Sequence, residues 1–336
     1  MRRVVFLLAT VLAAFGMAAT TAASPPATGV VRNYADLTAD CPNPEGIAID
    51  PNGNVYASSA PHIFSGSGPA NICIISPSLQ IRDISVAPGP SGVTNLLGEL
   101  FEPGQGLYVA DLANTITPNG RLLRVDPTSG EVTTLASGFA AANAIAQDRH
   151  RSLFVSDSFA GTITKVAPDG SSSAVWSKDP LLSPAPEFPF GANGLAFDRD
   201  QRFLYVANTS TRRILRIEVL SDGSAGPAQI FADGDTLNHR QGTTDALVRA
   251  DGIVFDVQGN LYVCANVSDE IQVLAPDGSA ITTRYTGSGA DALDFPASLV
   301  FKGRQLFISN LSLNDGGIHS KISVLDVPLP GLPLRP

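Results

Sequence analysis

One pattern recurs six times along the 336-residue chain and constrains its fold more than any other feature. Each copy is an apolar strand, a short polar turn and a second strand centred on an aromatic residue, as in EGIAIDPNGNVYAS from Glu45 and DGIVFDVQGNLYVCAN from Asp251. The central aromatic residues, 45 to 57 positions apart, are Tyr56, Tyr108, Phe154, Tyr205, Tyr262 and Phe307. A period of roughly 50 residues is typical of a solenoid, a propeller or another repeat array.

Two further strands complete each copy. The third appears in GRLLRVDPTSG and GTITKVAPDG, and a shorter fourth appears in EVTTLASG. Four strands in each of six units predict an all-β, six-bladed β-propeller with four-stranded blades. The last unit reaches only its third strand, KISVLDV, while GVVRNYADL near the mature N-terminus has no unit of its own. We therefore expect this N-terminal strand to complete the last blade and close the ring.

The ends of the chain differ from the repeats. Residues 1–23 combine a basic start, an apolar run and small residues, the anatomy of a secretory signal peptide. This predicts a secreted or periplasmic protein with no stable membrane insertion after cleavage; a retained membrane anchor is the alternative. Residues 24–328 are predicted to form one propeller domain. Residues 329–336 are expected to be a proline-rich C-terminal tail outside the ring, because proline cannot complete a sheet ladder.

The net charge bears on which partners the protein can bind, and the cysteine content bears on its disulfide bonding. The net charge is −9, the pI is about 4.9, and no block of Lys or Arg stands out, so nucleic acid is not expected as a partner. Three cysteines fit an exported protein with one disulfide and one thiol left over. The sequence does not fix the pairing, although Cys41 and Cys73 flank the same predicted strand pair and are the preferred pair over Cys264. The oligomeric state is not predicted.

Polar residues share one register in four of the six repeats. Glu45, Asn143 and Asp251 each stand 11 residues before the central aromatic, and Asn193 stands 12 before it, with one extra residue in the intervening turn. The inner strands of a propeller surround a central channel, so we expect these four side chains to converge on its axis. The alternative is that they close strand entries, with the following glycine needed for the backbone.

A ring of this composition favours a bound cation. Two carboxylates in a narrow channel repel each other, and carboxamides cannot neutralise them. An all-oxygen shell suits a hard ion, with Ca²⁺ preferred because it tolerates irregular geometry. Mg²⁺, Mn²⁺ and Zn²⁺ are alternatives, although the register contains no His or Cys to favour zinc.

The segments NGLAFDRDQRFLYVANTSTRRILRIEV and DGIVFDVQGNLYV resemble a known family. It contains senescence marker protein (regucalcin), gluconolactonase and the luciferin-regenerating-enzyme-like proteins, and the resemblance extends roughly from Glu45 to Asn310. It implies a six-bladed propeller with one divalent metal on the axis. It further implies Glu45, Asn193 and Asp251 as metal ligands, with Asn143 in contact with metal or substrate. The same set resembles the metal shells of the phosphotriesterase and paraoxonase propellers.

The expected activity is divalent-metal-dependent hydrolysis of a small-molecule lactone or related ester, with Asp251 as general base or nucleophile. Sugar lactonases of this family often carry Arg and Asp where this chain has the alanines of FAAANAIAQD, so gluconolactone itself is not the expected substrate. Asp157 and Asn208, at the ends of second strands, are predicted to line the substrate cup together with Asn143. The alternative for Asp157 and Asn208 is a turn-forming role.

A competing hypothesis is a non-catalytic extracellular propeller, similar to NHL repeats, that binds a ligand or protein and uses the metal structurally. A strictosidine-synthase-like role is a third option, but the acid that it requires has no clear place in the sequence. Fold alone does not decide between these classes.

Overall fold

The computed structural model describes residues 29–63, 65–113, 119–314 and 316–333. The predicted signal peptide, residues 1–23, lies outside the described residues. In the first half of the chain the strands are β1 (Val31–Asp36), β2 (Pro44–Ile49), β3 (Val55–Ser59), β4 (Ala70–Ile75), β5 (Ile81–Val86), β6 (Leu96–Glu102), β7 (Gly106–Asp111), β8 (Gly120–Val125), β9 (Val132–Phe139), β10 (Ala142–Gln147), β11 (Leu153–Asp157), β12 (Thr162–Val166) and β13 (Ser173–Lys178).

The second half follows the same plan. Its strands are β14 (Ala192–Phe197), β15 (Phe203–Asn208), β16 (Arg213–Val219), β17 (Ala225–Asp233), β18 (Ala250–Phe255), β19 (Leu261–Ala265), β20 (Glu270–Leu274), β21 (Ile281–Tyr285), β22 (Pro296–Lys302), β23 (Gln305–Asn310) and β24 (Lys321–Asp326). Among the residues that the structure describes, one α-helix, α1 (Gly234–Gln241), and three 3₁₀ turns, Pro180–Leu182, Asn266–Ser268 and Gly289–Asp291, lie between strands. No helix within the described ranges is long and apolar enough to cross a membrane.

The strands form six four-stranded antiparallel sheets, the predicted blades. Five blades take their strands consecutively from β2 to β21, and the sixth has the order β22-β23-β24-β1. Strand β1 pairs with β24, with Val31 opposite Leu325, and so joins the two ends of the chain. The predicted six-bladed propeller, closed by the N-terminal strand, is confirmed.

The repeated aromatic residue packs one blade against the next. Tyr56 on β3 stacks on Phe101 of the second blade, with ring centroids 5.5 Å apart. Edge-on pairs of the same kind are Phe154 with Phe197, Tyr205 with Phe255, and Tyr262 with Phe301. Each such pair is worth about 0.5–1.5 kcal/mol beyond its buried area. The sequence period therefore reflects the blade-to-blade contact.

A β-bulge occurs at the same point of the innermost strands. In β2 the register shifts between Pro44 and Ile47, so that Glu45 and Gly46 both lie opposite Ser58. The same shift occurs in β6, β10, β14, β18 and β22. Bulges redirect side chains and are common next to functional sites. We call the second residues of these six strands the axial ring; they are Glu45, Leu97, Asn143, Asn193, Asp251 and Ala297.

Glycine follows four axial residues because neighbouring inner strands approach closely there. A Cβ on Gly194 would lie 2.1 Å from the carbonyl oxygen of Asp251 in the next blade. A Cβ on Gly46 would lie 2.2 Å from the carbonyl oxygen of Leu97. Backbone contacts this short leave no room for a side chain, so glycine is required for the backbone of the ring.

Two features outside the blades are also defined. Cys41 and Cys73 form a disulfide and Cys264 is a buried free thiol, which confirms the preferred pairing. The described part of the proline-rich tail forms no strand. It lies against the fifth blade through an isolated bridge between Gly331 and Asp256 and a hydrogen bond from the Leu332 amide to the Phe255 carbonyl (2.8 Å).

Candidate metal centre

The four polar members of the axial ring are buried at equivalent positions of β2, β10, β14 and β18. The exposed fraction is 3% for Glu45, 2% for Asn143, 4% for Asn193 and 7% for Asp251. Asn193 lies close enough to Asp251 to lower the pKa of its carboxyl, and the charge of Asp251 raises the pKa of Glu45. The structure thus brings together residues that are far apart in the sequence.

The third blade fixes the orientation of the Asn143 amide. Asn143 Nδ2 donates to Ser158 Oγ (3.0 Å), and Ser158 Oγ donates to the carbonyl oxygen of Ala192 in the fourth blade (2.7 Å). A serine hydroxyl has one proton, so it must accept from Asn143 once that proton is used. The amide nitrogen of Asn143 therefore points to Ser158, and its oxygen is left for another partner.

The fourth blade repeats this arrangement. Asn193 Nδ2 donates to Thr209 Oγ1 (3.0 Å), which donates to the carbonyl oxygen of Ala250 in the fifth blade (2.8 Å). In the fifth blade Asn266 takes the same place: its Nδ2 reaches both Asp251 Oδ2 and the Pro296 carbonyl oxygen at 3.0 Å. We call Ser158, Thr209 and Asn266 the relay residues, because each joins an axial side chain to the next blade.

Sequence reasoning missed the relay residues. Each is the first residue after the second strand of its blade, in VSDS, VANT and VCAN. The corresponding residues of the other blades, Ala60, Leu112 and Leu311, cannot form such hydrogen bonds. The sequence did contain a signal for the relay residues: a polar residue follows the second strand only in the blades whose axial residue is Asn or Asp.

Burial makes the carboxylates of the ring costly to ionise. Burial raises the pKa of Asp251 to about 7, against the opposing effect of hydrogen bonds from Asn266 and Asn193. The pKa of Glu45 is raised well above its usual range by burial and by the charges of Asp251 and Glu99. In the described part of the chain, no Lys, Arg or His forms an ion pair with Glu45 or Asp251.

The donor set fits a hard cation. Glu45 Oε2 is buried without a hydrogen-bond partner, and the relay leaves the amide oxygens of Asn143 and Asn193 available. Two carboxylates and two amide oxygens form the kind of shell that Ca²⁺ accepts. The described residues contain no group of three or more His, Cys, Asp and Glu arranged to hold a metal ion. The ring contains two carboxylates and would depend on its amides for the remaining ligands.

An apolar layer covers one side of the axial ring. The side chains of Leu97 and Ala297 belong to a hydrophobic cluster with Ala60, Leu112, Ala141 and Leu311. Packed against this cluster is the apolar mouth, which we define as Ile63, Phe159, Phe190, Phe295 and Leu313. Phe159 and Phe190 meet edge to face with ring centroids 5.0 Å apart. Aromatic and aliphatic side chains are therefore packed beside the two apolar members of the axial ring.

Asp157 and Asn208 are engaged in their own loops. Asp157 accepts hydrogen bonds from the amides of Ala140 and Ala141 (2.7 and 2.9 Å). Asn208 Nδ2 donates to the carbonyl oxygens of Leu181 and Ser183 (2.8 and 3.0 Å). These contacts are those of turn-forming residues, the alternative noted above, and substrate binding by Asp157 and Asn208 stays a prediction.

Comparison with known proteins gives the following likenesses. Residues 190–311, from just before β14 to just after β23, match the model of the SMP-30/Gluconolactonase/LRE-like region. This stretch contains Asn193 and Asp251 but not Glu45 or Asn143. No curated protein matches the chain.

Solved structures share the fold across most of the chain. They include a luciferin-regenerating enzyme (14% identity, TM-score 0.65, 90% of this chain and 97% of that one). A gluconolactonase from Xanthomonas campestris is 16% identical, with a TM-score of 0.61, and 87% of this chain and 89% of that one are covered. The calcium-binding protein regucalcin from Agrobacterium tumefaciens is 15% identical, with a TM-score of 0.64, and 89% and 95% are covered. The chain therefore resembles the SMP-30, gluconolactonase and luciferin-regenerating-enzyme group of propellers, as its sequence predicted.

Proposed function

We propose that this protein is a divalent-metal-dependent hydrolase, with Ca²⁺ as the metal, that acts on a lactone or related ester carrying an apolar substituent. The observation that carries the proposal is the relay, which fixes the amides of Asn143 and Asn193 so that their oxygens are free beside two buried carboxylates. The likeness to a gluconolactonase and to calcium-binding regucalcin supports the same assignment. The signal-like N-terminus supports a secreted or periplasmic location.

Glu45, Asn143, Asn193 and Asp251 would hold the cation. When bound, it would supply Lewis-acid polarisation of the substrate carbonyl oxygen. Asn266 holds Oδ2 of Asp251 at 3.0 Å and so sets the direction of this carboxylate. We assign Asp251 as general base: water adds to the acyl carbon while its proton passes to Asp251, the ester C–O bond breaks, and the proton ends on the alcohol product.

The substrate class follows from the apolar mouth. Phe159, Phe190 and Phe295 offer contact area without hydroxyl partners, and the alanines of FAAANAIAQD add no charge. Each methylene that the mouth buries is worth about 0.8 kcal/mol, or roughly fourfold in kcat/KM if it is held equally in the transition state. An alkyl-substituted lactone should therefore be a better substrate than a polyhydroxylated sugar lactone.

The decisive experiment is a panel of alkyl lactones, aryl esters and gluconolactone, assayed with Ca²⁺ and with chelator. We expect hydrolysis only with the cation, with kcat/KM rising about fourfold per added methylene. Asp251→Asn should lower kcat by at least about 100-fold, in the range expected for loss of a general base. The control is Asp235→Asn, which removes the same charge from a side chain that is 86% exposed on α1. Normal turnover by a folded Asp251→Asn variant would remove Asp251 from this role.

A binding function is the second candidate, and one observation favours it. The polar ring residues are at most 7% exposed, and the apolar mouth packs over their neighbours. A cation enclosed in this way could stabilise the fold without meeting a substrate. A loss of melting temperature on chelation, with no turnover of any substrate in the panel, would support this candidate and refute the hydrolase.

A further inference from the structure

Arg249 stands immediately before β18, two residues ahead of Asp251 in the axial ring. Because two residues of fully extended chain span about 7 Å, the Cα atoms of Arg249 and Asp251 are no further apart than that. The amide of the relay residue Asn266 donates to the carbonyl oxygen of Arg249 (3.4 Å). The backbone of Arg249 is therefore held close to the candidate metal centre by the same residue that sets the direction of the Asp251 carboxylate.

The guanidinium of Arg249 packs on an aromatic ring. Its central carbon, Cζ, lies 3.7 Å from the ring centroid of Phe188. The ring centroids of Phe188 and Phe190 are 5.3 Å apart, and Phe190 belongs to the apolar mouth. A guanidinium that packs on a ring keeps its N–H donors for other partners, because the contact uses the positive charge and the flat face. These donors therefore lie one aromatic ring away from the apolar mouth.

Arg249 has no anionic partner in the part of the chain that the structure describes. Its side chain is half-buried, and it takes part in none of the ion pairs found there. Two other half-buried arginines show the usual arrangement, since Arg121 pairs with Asp111 and Arg213 pairs with Asp233. The guanidinium of Arg249 is therefore available to an anion from outside the chain.

The charges around Arg249 do not supply a partner either. Burial and the positive charge of Arg212, in the turn between β15 and β16, lower the pKa of Arg249, although a guanidinium stays protonated in proteins. Glu187 opposes this effect, but it is exposed to solvent. Arg212 itself is 3.8 Å from Asp235, a carboxylate that is 86% exposed, and such surface contacts contribute little. In a protein with a net charge of −9, this positive site is a local exception.

We propose that Arg249 binds the carboxylate of a ligand whose apolar part lies in the apolar mouth. The planar guanidinium can donate two parallel N–H groups to the two oxygens of a carboxylate, and packing on Phe188 restricts it before the ligand arrives. Phe159 and Phe190, which meet edge to face, would contact the apolar part. For the proposed hydrolase, the preferred substrate is then a lactone or ester with an apolar arm that ends in a carboxylate. This substrate class rests on the proposed function, whereas the carboxylate site does not.

Calorimetry with 4-phenylbutyrate and its uncharged analogue 4-phenylbutyramide tests the carboxylate site directly. The titrations are run in chelator, so that no metal ion can hold the carboxylate. We expect the wild type to bind the carboxylate about 10–100-fold more tightly than the amide, in the range of hydrogen bonds to charged groups, and Arg249→Gln to lose this preference. Arg249→Lys keeps the charge without the planar fork and should retain only part of it. The control Arg240→Gln removes the same charge from an exposed residue of α1 and should retain all of it.

A pair of lactones tests whether the hydrolase uses this site. One carries a carboxyalkyl arm and the other carries the matching carboxamide. With Ca²⁺, the wild type should favour the carboxylate about 10–100-fold in kcat/KM, and Arg249→Gln should bring the two values together. A calorimetric preference without turnover of either lactone would support the Arg249 site and refute the hydrolase. Equal kcat/KM values for both lactones in the wild type would support the hydrolase and refute the carboxylate-bearing substrate. Equal binding of the two calorimetric probes, or a preference that survives in Arg249→Gln, would overturn the carboxylate site.

Discussion

The pH dependence of stability in chelator tests the electrostatics of the axial ring directly. Burial raises the pKa of Asp251 from 3.8 to about 7 in the metal-free protein. Between these values the native state keeps a proton that the unfolded state releases, so increasing pH favours unfolding. The stabilisation of the native state by the protonated Asp251 carboxyl is fully present below the unfolded pKa of 3.8 and is lost as pH rises through the folded pKa.

The magnitude follows from the pKa of Asp251. Each pH unit well inside this window changes the free energy of unfolding by about 1.36 kcal/mol, and the slope falls off as pH approaches the folded pKa, so the step from pH 5 to pH 7 should remove about 2 kcal/mol through Asp251 alone. Glu45 and Glu99, whose pKa values are also raised by burial, act in the same direction. Saturating Ca²⁺ should flatten the profile, because a bound cation favours the ionised carboxylates.

The assay is urea unfolding at constant ionic strength in chelator, at pH 5, 6, 7 and 8. Asp251→Asn removes the titrating group with little change in shape, so its stability should fall by about 2 kcal/mol less than that of the wild type between pH 5 and pH 7. Asp235→Asn should follow the wild-type curve. A wild-type stability that rises from pH 5 to pH 7, or equal slopes for the wild type and Asp251→Asn, would refute the reasoning.

Three other perturbations test the close approach at Gly194, the positioning role of Asn266 and the contribution of the disulfide. Gly194→Ala should lower the free energy of unfolding by about 1–3 kcal/mol or more, because its Cβ would lie 2.1 Å from a backbone oxygen. The control Gly226→Ala, whose Cβ would have no contact under 3.4 Å, should change urea unfolding little. Equal effects of the two substitutions would contradict this account. Asn266→Leu should weaken Ca²⁺ binding by about 10–100-fold in calorimetry, and an unchanged affinity would show that Asn266 does not position Asp251. Replacing Cys41 and Cys73 by Ala should cost about 3–4 kcal/mol in urea unfolding, from the loop that their disulfide closes; no loss would show that this crosslink contributes nothing.

The repeat made the fold predictable. A recurring strand, turn and aromatic strand specified blades, because side chains such as Tyr56 must pack on the neighbouring blade. The incomplete last unit and the unpaired N-terminal strand specified the closure. The common register also singled out Glu45, Asn143, Asn193 and Asp251 without any contact being known.

Other features of the site were decided by contacts between blades. Ser158 acts as a relay residue because its hydroxyl donates its only proton to the Ala192 carbonyl oxygen of the next blade. Glu99 lies in the most divergent repeat, and the register alone did not show that its side chain enters the channel. The bulge in β6 and the approach of Glu99 to Gly46 place it there.

The sequence by itself thus determined the number of blades, the closing strand and the oxygen donors of the ring, since these depend on periodicity and side-chain type. The tertiary structure decided which amide atoms face the axis, what covers the ring and which carboxylate is left without a partner. Those properties depend on distances between residues from different repeats, and such distances are set only when the six blades close around one axis.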